Sequence, residues 1–496
     1  MLEVICRNTD SFMQEMPKVF RKAYGQFFTS MNTAKYMASL FNLPKDKKEI
    51  WMLDPGTGSG ILCSALLERC GKDLDKDVII HLVCYENDTK ILPLLKKNIE
   101  SISNEIRQEV KYEIIEKNYL LSQKNIFYGG LFDAEKERKF DLIIGNPPYK
   151  KISKDAAEAK VLSEVCYGTP NLYFLFATMS IHNLKKGGEM VYIIPRSWTS
   201  GAYFERFRQY LFKYCVLEHI HLFGSRDKVF DCESVLQETM IIKIKKCNEP
   251  PSTVCITTSH DNQDFEKITQ VNLPYNDVVS QQKRYVHLAT DAKEIETLNA
   301  VNSFHATLPE LGLKMRTGLV VDFRSRDLLR ETCQDDAIPL IYSKHIRDGR
   351  VRFPQGKDNE YIIANRSALK QINRNYLFLK RFTAKEEPRR LCCGIYLKRY
   401  LPDYKYISSQ NKVNFIDGTD EISECVIYGL YVIFNSTLYD TYYRILNGST
   451  QVNSTEINAM PMPEMCKIEE MGRELLYTKN LSEEHCDKIL KECVWK

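Results

Sequence analysis

The sequence predicts an α/β protein: a doubly wound, mainly parallel sheet in the first half and a mixed α+β domain in the second. Three observations predict it. Short apolar runs of strand length alternate with helix-length segments from residue 50 to about 245. A glycine-rich turn at 56–60 joins the first such strand to a helix. Composition then changes near Lys246, where 248–252 is a proline-containing connector with weaker periodicity beyond it.

At 496 residues the chain exceeds one compact core, so two domains are expected, 1–248 and 249–496. Residues 50–54 read as a short strand and 60–70 as the helix after the glycine turn. Residues 78–86 are apolar throughout, as a strand buried on both faces is. Helix 91–106 and a strand at 112–116 follow, then a fourth strand, 140–145, which stops at Asn146. Beyond a loop come helix 172–184, strand 190–195, helix 204–214, and strands 216–222 and 239–244. Seven strands in this order can form one domain. The second half mixes short strands, short helices and basic patches, and closes with a helical stretch at 468–491.

Bulk composition excludes several classes. A formal net charge of +4 is not that of a histone-like polycation, though it permits a local basic groove. No apolar run has membrane-spanning length, and the N-terminal residues carry acids rather than a signal core. The 16 cysteines are scattered, with no C-x-x-C pair of zinc-ribbon spacing, so a reduced, cytoplasmic protein with no metal site is expected.

The turn Asp54-Pro-Gly-Thr-Gly-Ser-Gly60 lets the backbone approach a ligand closely and leaves free N–H groups at a helix start. Alone it serves several nucleotide-like ligands, or none. Its alternating glycines differ from the dinucleotide fingerprint, and no Gly-Lys-Ser/Thr follows, which excludes a P-loop. Asp54 before the first glycine suits an ammonium or water better than a pyrophosphate. Glu86 ends the second strand on the same carboxyl edge, where an acid can accept both hydroxyls of a ribose.

Asp141-Leu-Ile-Ile-Gly-Asn-Pro-Pro-Tyr149 runs an apolar strand straight into a turn at that edge. Two prolines remove two N–H donors and leave carbonyls exposed, and Asn146 adds a side-chain acceptor beside them. Two acceptors suit a planar NH2 group, leaving its nitrogen lone pair free to attack. Tyr149 supplies a face for a flat ring.

Together these residues resemble the S-adenosylmethionine-dependent amino-methyltransferases. More narrowly, they resemble the adenine-N6 DNA methyltransferases of the type II restriction-modification class (TaqI- and PstI-like), which carry an Asn-Pro-Pro-Tyr motif and a C-terminal target-recognition domain. The likeness spans nearly the whole chain. It implies a Rossmann-like, seven-stranded methyltransferase sheet with cofactor residues Gln26, Thr29, Asp54, Gly56, Thr57, Gly58, Gly60, Glu86, Asn118 and Asn146. Ser30 stands where the family often has Pro, and Asn118 where it usually has Asp against the cofactor's adenine. The catalytic motif is Asn146, Pro147, Pro148 and Tyr149, and Lys228-Val-Phe230 resembles the motif whose ring packs on an extruded base.

Residues 371–400 hold eight Lys and Arg against two Glu, with interleaved aromatics, a pattern that binds phosphates and reads guanines. Lys380, Arg381, Arg389 and Arg390 are the candidates there. Lys314-Met-Arg316-Thr-Gly resembles the opening of the recognition domain, which adds Arg316. The resemblance implies transfer of a methyl group to adenine N6 of a base flipped out of duplex DNA. A separately encoded endonuclease is the expected partner, or none if the enzyme is a solitary regulatory methylase, because the chain starts almost directly at the cofactor segment. Glutamine-amide methylation of release factors, cytosine-N4 methylation and a catalytically inactive DNA-binding subunit remain alternatives.

Overall fold

In β1 (Glu49–Asp54) the last three residues are all buried, as happens only to a strand with neighbours on both sides and layers on both faces. The computed structural model describes residues 2–15, 29–129, 137–224, 239–262, 265–281, 283–334, 336–356, 359–383 and 387–495. Around β1 lie β2 (Ile79–Tyr85), β3 (Glu109–Ile115), β4 (Phe140–Gly145), β5 (Leu184–Pro195), β6 (Val216–Phe223), β7 (Thr239–Lys245), β8 (Thr253–Ser259) and β9 (Thr269–Pro274). Their order is β3-β2-β1-β4-β5-β7-β6-β8-β9. The first five spatial neighbours are parallel, whereas β7 runs antiparallel to both β5 and β6. All seven expected strands are present, with shifted ends.

Strand order reverses at β1, whose neighbours are β2 on one side and β4 on the other. Chains leaving the carboxyl ends of β1 and β4 therefore diverge and open a crevice there. The turns at 54–60 and 146–149 are thus brought to one edge. Helices Met31–Ser39, Ile61–Asp73 and Leu92–Glu105 cover one face, and their buried residues join β1 and β2 in a single apolar cluster.

The first compact unit continues to Thr290, past the expected boundary at 248. The reason is pairing: β8 adds parallel to β6, and β9 antiparallel to β8, so the connector at 248–252 links strands of one sheet. Among the described residues of this sheet, β8 and β9 are the strands beyond the seven that periodicity picked out.

The second unit, Asp291–Lys496, carries a six-stranded and a five-stranded sheet. Helices Glu424–Phe434 and Met465–Thr478 cross at Gly429 and Gly472, where a Cβ would come within 1.9 Å of Ile468 O and 1.8 Å of Cys425 O. The closing helical stretch is two helices. Lys479, at φ 57°, ends the first, and the Ser482 hydroxyl caps the second, Glu483–Val494. Among the described residues no helix is long and apolar enough to cross a membrane, and no His/Cys/Asp/Glu group has the geometry to hold a metal.

Candidate active site

The glycine turn is tied to the end of β2. Thr57 N donates to Tyr85 O at 3.0 Å, and Gly58 N donates to Glu86 Oε2 at 2.9 Å. Gly58 and Gly60 have φ of 56° and 86°, a region that costs a side chain dearly. From behind, Asn98 donates to Ser59 O at 2.9 Å and accepts from Asn8 at 3.0 Å, an anchor with no signature in the sequence.

Glu86 Oε1 accepts from Asn87 N at 2.8 Å and Asp88 N at 2.9 Å, so three backbone donors converge on one carboxylate. Burial raises its pKa from the ordinary value, with those donors pulling the other way. Asp54 is fully buried, with Cys63 beside its carboxylate. Burial pushes its pKa up to about 8. It is not among the residues that line the cavity.

Asn146 follows β4. Gly145 precedes it, and a Cβ there would fall 2.7 Å from Tyr192 Cε1, so the strand must end without a side chain. Asn146 Nδ2 donates to Thr29 Oγ1 at 3.1 Å. Asn146 Oδ1 lies 2.7 Å from the Tyr149 hydroxyl, which also sits 3.0 Å from Ile193 O. The Tyr149 ring meets Tyr173 edge-on, with centroids 6.4 Å apart. The acceptor expected to be open is therefore satisfied by Tyr149, and both side chains are half-buried.

One cavity of about 300 Å³ joins the two turns. Its wall contains Thr29, Gly56, Thr57, Gly58, Glu86, Asn118, Asn146 and Pro148. Pro147, Tyr149, Gly60 and Asp54 are not among its lining residues. Gln26 and Phe230 lie outside the described residues. Asn87, Asp88, Glu158, Leu172 and Phe176 also line it and were not anticipated. Phe176 had a usable signal, since it falls one turn into the helix Leu172–Asn183 that Asn171 caps. Glu158 had none, sitting in a five-residue helix of the loop after Tyr149.

The group that the resemblance implies fits this cavity. Its size matches a small-ligand pocket, its polar atoms converge at Glu86 and Asn118, and the glycine turn leaves backbone room.

The basic candidates divide. Arg316 is exposed and pairs with Asp417 at 3.4 Å. Lys380 is half-buried, and Arg381 donates to Asn411 O at 2.9 Å while lying over the Phe382 ring. Arg389 and Arg390 correct the expectation of a basic DNA-facing row. Arg389 bonds Ser436 O at 3.1 Å and pairs with Glu483 at 2.7 Å. Arg390 is fully buried, bonding Thr383 Oγ1 at 3.2 Å and Ser449 O at 2.6 Å. The Asn447-Gly-Ser-Thr segment thus supplies the carbonyl that holds a buried arginine.

A mainly parallel sheet with an antiparallel β7, and a ligand cavity at its switch point, define a methyltransferase of the Rossmann-like class. The Eco57I restriction-modification methylase family model matches residues 61–230. Type II methyltransferase M.BsuBI of Bacillus subtilis is 33% identical over 94% of this chain and 93% of its own length. M.PstI of Providencia stuartii is 31% identical over 93% and 91%. The chain belongs to the type II methyltransferases, and with them to the DNA methyltransferases of restriction-modification systems. In fold it is similar to the Type IIL restriction-modification enzyme MmeI, at a TM-score of 0.55, covering 94% of this chain and 72% of that one with 13% identity.

Proposed function

We propose that this chain transfers a methyl group from S-adenosylmethionine to adenine N6 of a base flipped out of duplex DNA, as the modification partner of a separate endonuclease. The observation that carries the reading is the Asn146 carboxamide, fixed by Thr29 on its nitrogen side, at the wall of a cavity built on the glycine turn and Glu86.

When bound, the cofactor supplies a methyl already activated on a sulfonium, so the protein's work is alignment and electrostatics. Glu86, held by three backbone donors, accepts ribose hydroxyls. Asn146 Oδ1 and the Pro147 carbonyl accept the two hydrogens of the target amine. The bound cofactor would supply the methyl and keep the bonding electrons on its sulfur, and the target amine nitrogen, on gaining the methyl, would become positive. Both acceptors hold that charge more strongly than the neutral amine, which is differential stabilisation of the transition state. One amine proton then leaves to solvent. Tyr149 exchanges its bond to Asn146 for a stacking position on the base.

The test is methyl transfer to unmethylated duplex DNA with labelled cofactor, read as modified nucleosides. The expected product is N6-methyldeoxyadenosine, lost by about a thousandfold in Asn146→Ala while cofactor affinity changes less than twofold. Label in N4-methyldeoxycytidine would overturn the choice of base. Label only in release-factor glutamine would overturn the choice of DNA.

A further inference from the structure

The Asn118 side chain does two things at the cavity wall. Its Oδ1 accepts from Leu121 N at 3.2 Å, capping the turn that follows β3. Its Nδ2 donates to Glu158 Oε1 at 3.1 Å. A neutral carboxamide thus spends its acceptor on the backbone and its donor on a carboxylate that arrives from 40 residues later.

Glu158 also lines the cavity. Among the described residues no lysine or arginine pairs with it, and Oε2 has no hydrogen bond beside the one that Oε1 receives. The same lining holds the ring of Phe176, and Glu86 stands in that cavity as the acid suited to a ribose. Aromatic ring, ribose acid and a half-satisfied carboxylate in one cavity describe the surroundings of a purine with an exocyclic amine.

Resting on the proposed cofactor, we propose that Glu158, oriented by Asn118, accepts the exocyclic amine of the cofactor's adenine. The carboxylate takes over the acceptor duty that an acid at position 118 would have, and Asn118 keeps it in place. An aspartate at 118 would face Glu158 with like charge across about 3 Å, so the Asn and the Glu are a matched pair.

The experiment is calorimetric and needs no turnover. The full chain is titrated with S-adenosylhomocysteine and with its hypoxanthine counterpart, S-inosylhomocysteine, which carries a 6-oxo acceptor in place of the amine. The wild type is expected to prefer the adenine ligand by at least about tenfold. Glu158→Gln, which offers the ligand a donor as well as an acceptor, is expected to bring that ratio to about one. The double variant Asn118→Asp with Glu158→Gln moves the carboxylate across the pair and is expected to restore the preference. Each ratio is internal to one protein, so a smaller folded fraction does not imitate the effect. An unchanged preference in Glu158→Gln would overturn the assignment and leave the cofactor reading standing. Failure of the wild type to bind either ligand would overturn the cofactor reading itself.

Discussion

The Tyr149 hydroxyl lies 2.7 Å from Asn146 Oδ1, so the tyrosine of the catalytic turn occupies the acceptor that a target amine requires. A target amine either displaces it or uses the second lone pair of that oxygen. Tyr149→Phe removes the displaced bond but keeps the aromatic face, so its turnover is expected within about threefold of the wild type. Tyr149→Ala removes the face as well, and stacking on a base is worth ~1–3 kcal/mol, so a loss of about ten- to a hundredfold is expected. Single-turnover methylation of a short duplex checks both, and equal losses in the two variants would contradict the exchange.

Thr29 acts on the other end of the same carboxamide. Its hydroxyl oxygen accepts from Asn146 Nδ2 at 3.1 Å, which fixes which way the amide points. In Thr29→Val that acceptor is gone and the amide can turn over. The expectation is a kcat about tenfold lower, consistent with loss of one hydrogen bond, and a cofactor Kd changed less than threefold. Thr29→Ser should restore the rate. A change confined to Kd would assign Thr29 to the cofactor alone.

Asp54 is a stability cost with a defined pH signature. Its carboxyl is buried, and burial pushes its pKa up to about 8 against the opposing pull of Cys63. An acid whose folded pKa is raised must take up a proton on folding, so stability is lost as pH climbs from about 4 toward about 8. Asp54→Asn removes that coupling. Its melting temperature is expected to gain on the wild type progressively over this window and then to level off. A difference independent of pH would mean that Asp54 is ionised in the folded chain.

A second pH window comes from β6. His221 bonds Thr257 Oγ1 at 2.9 Å and Ser259 Oγ at 3.0 Å, and His219 bonds the same Thr257 oxygen at 2.9 Å. Burial lowers the pKa of His219 to about 4 and of His221 to about 3, with Lys243 adding to the first shift and His219 to the second. Both are neutral when folded, whereas the unfolded chain binds protons from about pH 6.5 downward. The histidines' contribution should therefore fall between about pH 6.5 and 4, by roughly 3 kcal/mol for His219, against the opposite slope from Asp54. Denaturant unfolding at several pH values measures it, and a flatter slope is expected in His221→Gln.

The legible parts of this protein were those written in local chemistry. Gly56 to Gly60, Glu86 and Asn146 to Tyr149 are short contiguous signals whose backbone demands select their residue types. Most of the seven strands were legible as apolar runs between turns, whereas β3 is mostly exposed and shows only the alternation of Val110, Tyr112 and Ile114. Glu158 and Asn98 were not, since each acts through a contact more than 30 residues away, and nothing local marks the partner. Strands β8 and β9 escaped for a related reason. They add at the edge of the sheet, where β9 is mostly exposed and carries no apolar run.

The arginines of the second unit show how a correct composition can mislead about individual residues. Arg390 looks like a phosphate contact in sequence, yet its guanidinium serves Thr383 and Ser449 inside the fold and lies over the Tyr443 ring. Arg390→Ala should therefore cost stability, roughly 2–4 kcal/mol, because buried carbonyl and hydroxyl groups lose their donor. Arg316 is exposed, held only by a 3.4 Å pair with Asp417, which at a surface is worth little. Arg316→Ala should leave the melting temperature unchanged and weaken duplex DNA binding. If that guanidinium meets a phosphate, the slope of log affinity against log salt should shrink by about one. Thermal unfolding and salt-dependent binding on the two variants give opposite patterns under this account. Lost DNA affinity with unchanged stability in Arg390→Ala would return that residue to the DNA surface.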